Sequence, residues 1–468
     1  MTPPKETRCA EGRGRPEGGT RGSDEVRTQS RVAAPPNLAR VHEAARRDKS
    51  TQFTALLHHV DVAALERAFK RLKRGAAAGI DGETVSTYEQ GLHEKLNDLC
   101  SRVQRGQYRP KPVRRVFIPK SDGGQRPLGI PTLEDKIVQG AVAEVLNAIY
   151  EADFLGFSYG FRPRRNPHLA LRALHTAVMT KYVGWVLDAD IRRFFDSVNH
   201  EWMMRMLAHR IADRRILGLI RGWLRAGVME GQGWSETVEG TPQGSGVSPI
   251  LANIFLHYVL DLWVQQWRTR HPRGSVIIVR YCDDFVMGFQ FETDARQMMV
   301  DLRERLGKFS LALHEDKTRL VEFGKLTADL RTKRGERRPE TFNFLGFTHC
   351  CARTKDGRFV VKRRTDRKRL TRKIHEVQTE LWRRMHASVS KQHRWIASVL
   401  RGHYAYYGLP SNWHRMAGFR DEIRRRWFKV LRRRSQRQLT WPRFNTMLKR
   451  LPPLPDPRIT HSRMPLVA

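Results

Sequence analysis

The chain has 468 residues, with 86 Lys and Arg against 48 Asp and Glu and a formal net charge of +38. Such an excess excludes an ordinary small-molecule enzyme as the default and points to a polyanionic partner, nucleic acid above all. A hydrophobic fraction of 40% excludes a wholly disordered basic protein.

Taken in chain order, residues 1–45 are rich in Gly, Arg, Pro, Glu and Thr without apolar periodicity and read as a mobile tail. Nothing between Met1 and Pro36 resembles a signal-peptide core, and no run of residues is apolar enough to span a membrane. Helical patterning starts near Thr51, with Val60, Val62, Leu65, Ala68, Phe69 and Leu72 on one face. The glycine-rich stretch 75–82 ends that pattern, and a second amphipathic helix is expected over Tyr88–Val103. Arg114–Lys120 and Arg126–Pro131 read as a strand pair joined by the turn Ser121–Gly124, and Thr132 as the N-cap of a helix from Glu134 to Tyr150. Helix and strand then alternate to Phe347, an α+β or α/β pattern, with the main strands at Tyr182–Asp190, Val276–Phe289 (broken in the middle) and Phe342–Phe347. Beyond residue 360 the composition shifts. Residues 361–468 hold 28 Lys and Arg against 6 Asp and Glu, with Trp and Tyr set among the arginines, and helices are expected at Ala397–Tyr407 and Phe419–Leu431. The five cysteines, Cys9, Cys100, Cys282, Cys350 and Cys351, form no C-x-x-C pair. They argue for a reducing, intracellular setting and against zinc, and the Cys350–Cys351 pair reads as two strand residues.

The chemistry is concentrated in two acidic segments. Val276–Arg280 and Phe285–Met287 flank Tyr281-Cys282-Asp283-Asp284, which in a hairpin puts two carboxylates at the tip. Adjacent buried carboxylates are costly unless a cation neutralises them, although Asp is also common in plain turns. A third acid, Asp190, ends the apolar strand of Val186–Asp190 and precedes Phe194-Phe195-Asp196. Three carboxylates on strand ends suit a two-metal phosphoryl-transfer site; the alternative is that Asp190 caps the following helix.

Together these residues resemble the palm of reverse transcriptases, and the surrounding segments resemble the group II intron-encoded reverse transcriptase/maturase family. Gly79–Gly82 is similar to that family's N-terminal motif, and Arg114–Pro131 and Ser158–Pro163 to its first two blocks. Gly240–Gly244 with Ser248–Pro249 and Leu251–Asn253 is similar to the fourth, Leu313–Thr318 and Phe344–Phe347 to the last two, and Arg401–Gly408 to the maturase thumb. The resemblance spans about residues 50–460 in order.

It implies a right-hand polymerase, α+β, with fingers, a palm built on an antiparallel sheet, a helical thumb and a basic helical C-terminal region. The implied divisions are a tail (1–45), fingers and palm (46–359), thumb or domain X (360–410) and a short DNA-binding region (411–468). Asp190, Asp283 and Asp284, with the Ile191 carbonyl, would hold two Mg²⁺ ions, and Lys317 would serve as an acid for pyrophosphate or be a solvated lysine. Lys120, Arg126, Phe195 and Gln243 would surround the dNTP, Phe195 as a gate against the 2′-hydroxyl or as a core aromatic. Phe344, Leu345 and Gly346 would position the primer and template or finish the sheet. Arg401, Arg424, Arg425, Arg432, Arg433 and Arg434 would grip RNA and DNA, whereas Tyr404, Tyr406 and Tyr407 read as helix-packing core. Cys282 stands where the family commonly has Ala, and Ser245-Gly246 where Gly-Gly is more usual. No Cys-pair and His-Asn segment of an H-N-H endonuclease appears before Ala468, so second-strand cleavage is expected to be missing. The expected activity is RNA-directed DNA synthesis and splicing of group II intron RNA, with target DNA and dNTPs as further partners and a bacterial cytoplasmic, nucleoid-associated location. A reverse transcriptase of a defence or diversity-generating system and a non-catalytic splicing chaperone are the competing readings. The Arg401–Gly408 motif argues against the first and the intact acid triad against the second.

Overall fold

The structure is a computed structural model and describes residues 36–119, 124–230, 233–235, 240, 244–434 and 439–461. Eleven strands are present among these: β1 (Val113–Pro119), β2 (Gln125–Ile130), β3 (Trp185–Asp190), β4 (Val228–Glu230), β5 (Gly233–Ser235), β6 (Val276–Tyr281), β7 (Asp284–Phe289), β8 (Arg319–Glu322), β9 (Thr341–Phe344), β10 (Phe347–Arg353) and β11 (Phe359–Thr365). They form three sheets, ordered β2-β1-β4-β5, β6-β7-β3-β8 and β11-β10-β9, set among helices. The mixed α+β reading stands.

The helix Leu133–Tyr150 is the spine of the largest core. Most of its side chains are buried, and the partly exposed Lys136, Gly140, Glu144 and Asn147 recur at helical spacing as one narrow stripe, so the helix is interior on all but one side. Its start is fixed as the sequence implies: the Thr132 hydroxyl accepts from the Asp135 amide. The helices Val62–Lys70 and Leu92–Gln104 and the inward residues Leu187, Ala189, Phe285 and Met287 of β3 and β7 belong to the same core. On the other face of that sheet, Val186, Ile277, Val279 and Val286 pack with the helix Pro167–Thr180 and with Phe342, Phe344 and Phe347 of the β9–β11 sheet. Strand alternation therefore sends Asp188 and Asp190 to this second face, beside Val186.

Several boundaries differ from the sequence reading. A helix over Pro36–Arg47, with Leu38, Val41 and Ala45 buried, occupies the end of the expected tail. Residues from Thr51 hold only a 3₁₀ turn (Leu57–His59) before the helix Val62–Lys70, which Asp61 caps. The helix expected over Tyr88–Val103 is two, Val85–Glu89 and Leu92–Gln104, parted at Gly91 with φ +71°. The strand expected over Phe342–Phe347 is a hairpin: Leu345 (φ +49°) and Gly346 (φ +81°) reverse the chain between β9 and β10. Two successive left-handed residues are what a tight hairpin loop requires.

The division at 360 falls inside β11, and the one at 410 cuts through a single packing unit. The helices Arg367–Arg383, Val389–Tyr407, Trp413–Arg434 and Trp441–Lys449 share one core around Leu381, Ile396, Trp427 and Phe444. The chain then returns along this bundle. The amides of Thr460 and His461 donate to the Gly408 carbonyl at 3.0 and 3.1 Å, and the His461 ring stacks on His168 at 3.5 Å. No helix among the described residues is long and apolar enough to cross a membrane.

Candidate active site

β3 and β7 run antiparallel, with Asp190 directly opposite Asp284. β7 also pairs with β6, which sets Asp284 opposite Tyr281 and leaves Cys282 and Asp283 as the two-residue loop. Cys282 is buried and has φ +60°, a conformation that favours glycine. Asp190 does not cap a helix: the next element is a single 3₁₀ turn, Phe194–Asp196, whose N-cap position is Arg193. Instead Lys317 Nζ donates to Asp190 Oδ2 at 2.8 Å, bringing two of the sequence-predicted residues together across 127 positions of chain.

The electrostatics are those of crowded acids. Burial first, and then the negative charges of Asp188, Asp283 and Asp190, hold the Asp284 carboxyl well above the usual carboxylate range. Asp188 is pushed up to about 7 by burial; the Arg319 guanidinium opposes this and Asp190 adds to it. Arg319 is the strand partner of Asp188 on β8. Asp188 carries no role in the sequence reading, although its spacing of two from Asp190 was the available signal.

The donor set is made of carboxylate oxygens on strand ends, partly withdrawn from water and mutually repelling, which suits a hard divalent cation. Among the described residues, no three His, Cys, Asp or Glu groups are already gathered as a ready metal site. The positive charge against Asp190 is that of Lys317.

The other predicted residues divide by location. Ile191 is buried and bridges Leu313, with the His314 amide donating to the Asp190 carbonyl. Phe195 is half-buried, edge-on to Phe194 at 5.4 Å. Phe344 is buried, and the Leu345 carbonyl accepts from Tyr406 Oη at 2.8 Å, which ties the β9–β10 turn to the helical bundle. Arg369 lies against Gly346, and its charge acts on Asp284. Lys120 and Gln243 lie outside the described residues, as does the side chain of Arg126, whose backbone pairs with Ile118. Arg401, Arg425, Arg432, Arg433 and Arg434 are exposed on the bundle, far along the chain from the acids. Arg424 is half-buried and lies over the Trp441 ring at 5.8 Å, and Arg434 also donates to the Ala387 carbonyl. Tyr404 is core, as expected, and Tyr406 and Tyr407 pack partly buried against Phe347.

A family model described as reverse transcriptase (RNA-dependent DNA polymerase) matches residues 118–349, which run from β1 to β10 and contain all four acids. Protein YkfC of Escherichia coli (strain K12) is 34% identical over 274 residues, 52% of this chain and 71% of that protein. The group II intron-encoded protein LtrA of Lactococcus lactis subsp. cremoris is 36% identical over 211 residues, 44% of this chain and 34% of LtrA. The chain belongs to the group II intron-encoded reverse transcriptase/maturase family. An uncharacterized 91 kDa protein in the cob intron of Schizosaccharomyces pombe is 37% identical over 202 residues, 43% of this chain and 25% of that protein. This reverse transcriptase thus spans most of YkfC but only about a third of LtrA. Enzymes with this domain use divalent metal ions, in keeping with the oxygen-only donor set.

Proposed function

We propose that the protein extends a DNA primer on an RNA template, and that the RNA it copies is a group II intron whose splicing it also assists. The observation that carries the polymerase half is the pairing of Asp190 with Asp284 across β3 and β7, with Asp283 in the adjoining loop. LtrA's description as group II intron-encoded supports the intron half.

In this reading the β6-β7-β3-β8 sheet is the palm, the β1–β2 pair belongs to the fingers, and the helical bundle from Arg367 is the thumb. Asp190, Asp283 and Asp284, with the Ile191 carbonyl, hold two Mg²⁺. Such ions lower the pKa of a primer 3′-hydroxyl and offset charge on the triphosphate. Lys317 holds the Asp190 carboxylate in place and stands ready to give a proton to the departing pyrophosphate. Lys120 and Arg126 meet the triphosphate, Arg126 as a planar fork. Phe195 closes the sugar side of the nucleotide, Gln243 lies beside it, and the Phe344–Gly346 turn positions the primer. Arg401, Arg424, Arg425, Arg432, Arg433 and Arg434 contact phosphates of intron RNA and target DNA through an interaction that weakens with salt.

Asp283→Asn tests the reading. It should abolish cDNA synthesis on a primed RNA while leaving affinity for that RNA unchanged. A variant that still makes cDNA at the wild-type rate removes Asp283 from the reaction.

A further inference from the structure

Directly behind the acidic loop sits an arginine with no exposure to solvent, Arg280 of β6. Alternation along β6 turns it, with Val276 and Ile278, toward the main core, on the sheet face opposite the carboxylates. Its guanidinium has five N–H groups, and five acceptors meet them. Nε donates to Asp261 Oδ1 at 2.7 Å and Nη2 to Asp261 Oδ2 at 2.5 Å. Nη2 also donates to Ser158 Oγ at 2.7 Å, and Nη1 to Asn253 Oδ1 at 3.2 Å and to the Cys282 carbonyl at 3.0 Å. Its backbone is held as well, by the Phe157 carbonyl and the Tyr159 amide.

The partners come from separate segments that converge here. Asp261, itself fully buried, ends the π-helical turn His257–Asp261. π-Turns inside helices are rare and concentrate at functional sites. Asn253 donates in turn to the Gly160 carbonyl at 2.6 Å, and Gly160 lies so close to Cys282 that a Cβ there would overlap the Cys282 sulfur and amide. The loop carrying Asp283 is thus held from behind by Arg280 and flanked by Gly160.

A fully buried ion pair is an expensive way to stabilise a fold, because apolar residues of similar volume often do as well or better. What the pair supplies here is a rigid, planar fork aimed at one carbonyl of a loop with left-handed backbone. We infer that Arg280 is a positioning residue for nucleotide addition. By fixing the Cys282 carbonyl it sets the angle at which Asp283 and Asp284 are presented, with Asp261 orienting the fork. This rests on the polymerase reading given above.

The test compares wild type, the paired apolar variant Arg280→Met/Asp261→Leu, and Arg280→Lys, each as the full chain. The paired variant removes both buried charges, so it should keep a melting temperature within about 5 °C of wild type or above it. Its affinity for a primed RNA should stay within about threefold. Its kcat for primer extension should fall by about 10²-fold, the scale of a misplaced reacting group. Arg280→Lys keeps the cation against Asp261 but cannot also span Asn253 and the Cys282 carbonyl, so it should lose at least about tenfold in kcat. A readout independent of turnover is Mn²⁺ binding to nucleotide-free protein followed by electron paramagnetic resonance. Affinity should weaken at least fivefold, roughly, in both variants as the acids lose their presentation. If either variant, folded by its melting curve, keeps wild-type kcat and Mn²⁺ affinity, Arg280 is structural only and the inference is overturned. Should the paired variant not fold, Arg280→Lys alone decides. A wild-type protein that binds primed RNA and does not extend it overturns the polymerase reading instead, and the positioning role with it.

Discussion

The residue that most tightly constrains the acidic loop from the side is Gly160. A Cβ at that position would overlap Cys282, the loop residue preceding Asp283. Gly160→Ala must push either the Ser158–Gly160 segment or the loop aside, at about 1–3 kcal/mol. Urea denaturation should register that loss, and primer extension should fall by more than the stability change explains, because the displaced groups are those beside the acids. The acid triad was legible in the sequence because polar residues interrupting two apolar strands announce themselves. Asp188, Arg280 and Asp261 were not. Their significance depends on which faces of β3 and β6 meet which helix, and on a π-turn that rotates Asp261 toward β6. Arg280 in particular reads in sequence as one more cation in a chain that has 86. Lys120 and Arg126, proposed for the triphosphate, and Gln243, proposed beside the nucleotide, remain sequence expectations.

At the scale of elements, the β9–β10 hairpin is where pattern reading went furthest wrong. Phe342-Asn343-Phe344-Leu345-Gly346-Phe347 looks like one apolar strand, and Leu is not a residue that signals φ above zero. Gly346 was the only cue. The hairpin is worth this strain because it brings the Leu345 carbonyl to Tyr406 and opens a gap that Arg369 fills, linking the small sheet to the first and second helices of the bundle. Gly346→Ala adds a Cβ at φ +81°, beside the Arg369 guanidinium and the Tyr407 hydroxyl. It should cost about 1–2 kcal/mol in stability. If the turn positions the primer, the variant should also shorten the products made per binding event in a single-turnover trap assay. Unchanged product lengths would confine the turn to joining sheet and bundle. The helix Leu133–Tyr150 is the opposite case, with its cap and length both evident from the sequence.

Across the whole molecule, charge and burial act together. Burial holds His257 and His403 down to about 4 and His349 down to about 3, so all three are neutral in the fold at pH 5. Once unfolded they titrate near 6.5, so below that pH the unfolded chain binds more protons and stability falls as pH falls toward 4. Between pH 7 and pH 5 each should remove about 2 kcal/mol. His349 stacks on Phe342 at 4.7 Å and its Nε2 is buried without a hydrogen-bond partner. His349→Phe should therefore keep the packing and flatten the denaturation free energy between pH 7 and pH 5 by about that amount. A slope identical to wild type would mean that His349 takes up its proton as readily in the fold as in the unfolded chain.

The net charge of +38 is unevenly placed: residues 361–468 carry a large excess of it, and the described helices of this region share one core. RNA affinity should thus fall steeply with salt, by roughly 10³-fold between 50 and 200 mM if six or more phosphates are contacted. Filter binding at several salt concentrations reads that slope, and Arg432→Gln/Arg433→Gln should reduce it by about two ion equivalents. The charge serves binding, whereas the carboxylates on β3 and β7 are proposed to serve RNA-templated DNA synthesis. A labelled DNA primer annealed to an RNA template, incubated with the protein, four dNTPs and Mg²⁺, tests it most directly. Template-length cDNA is expected, and it should disappear when EDTA is added. Protein that binds the primed RNA without extending it, or extension that survives EDTA, would contradict it.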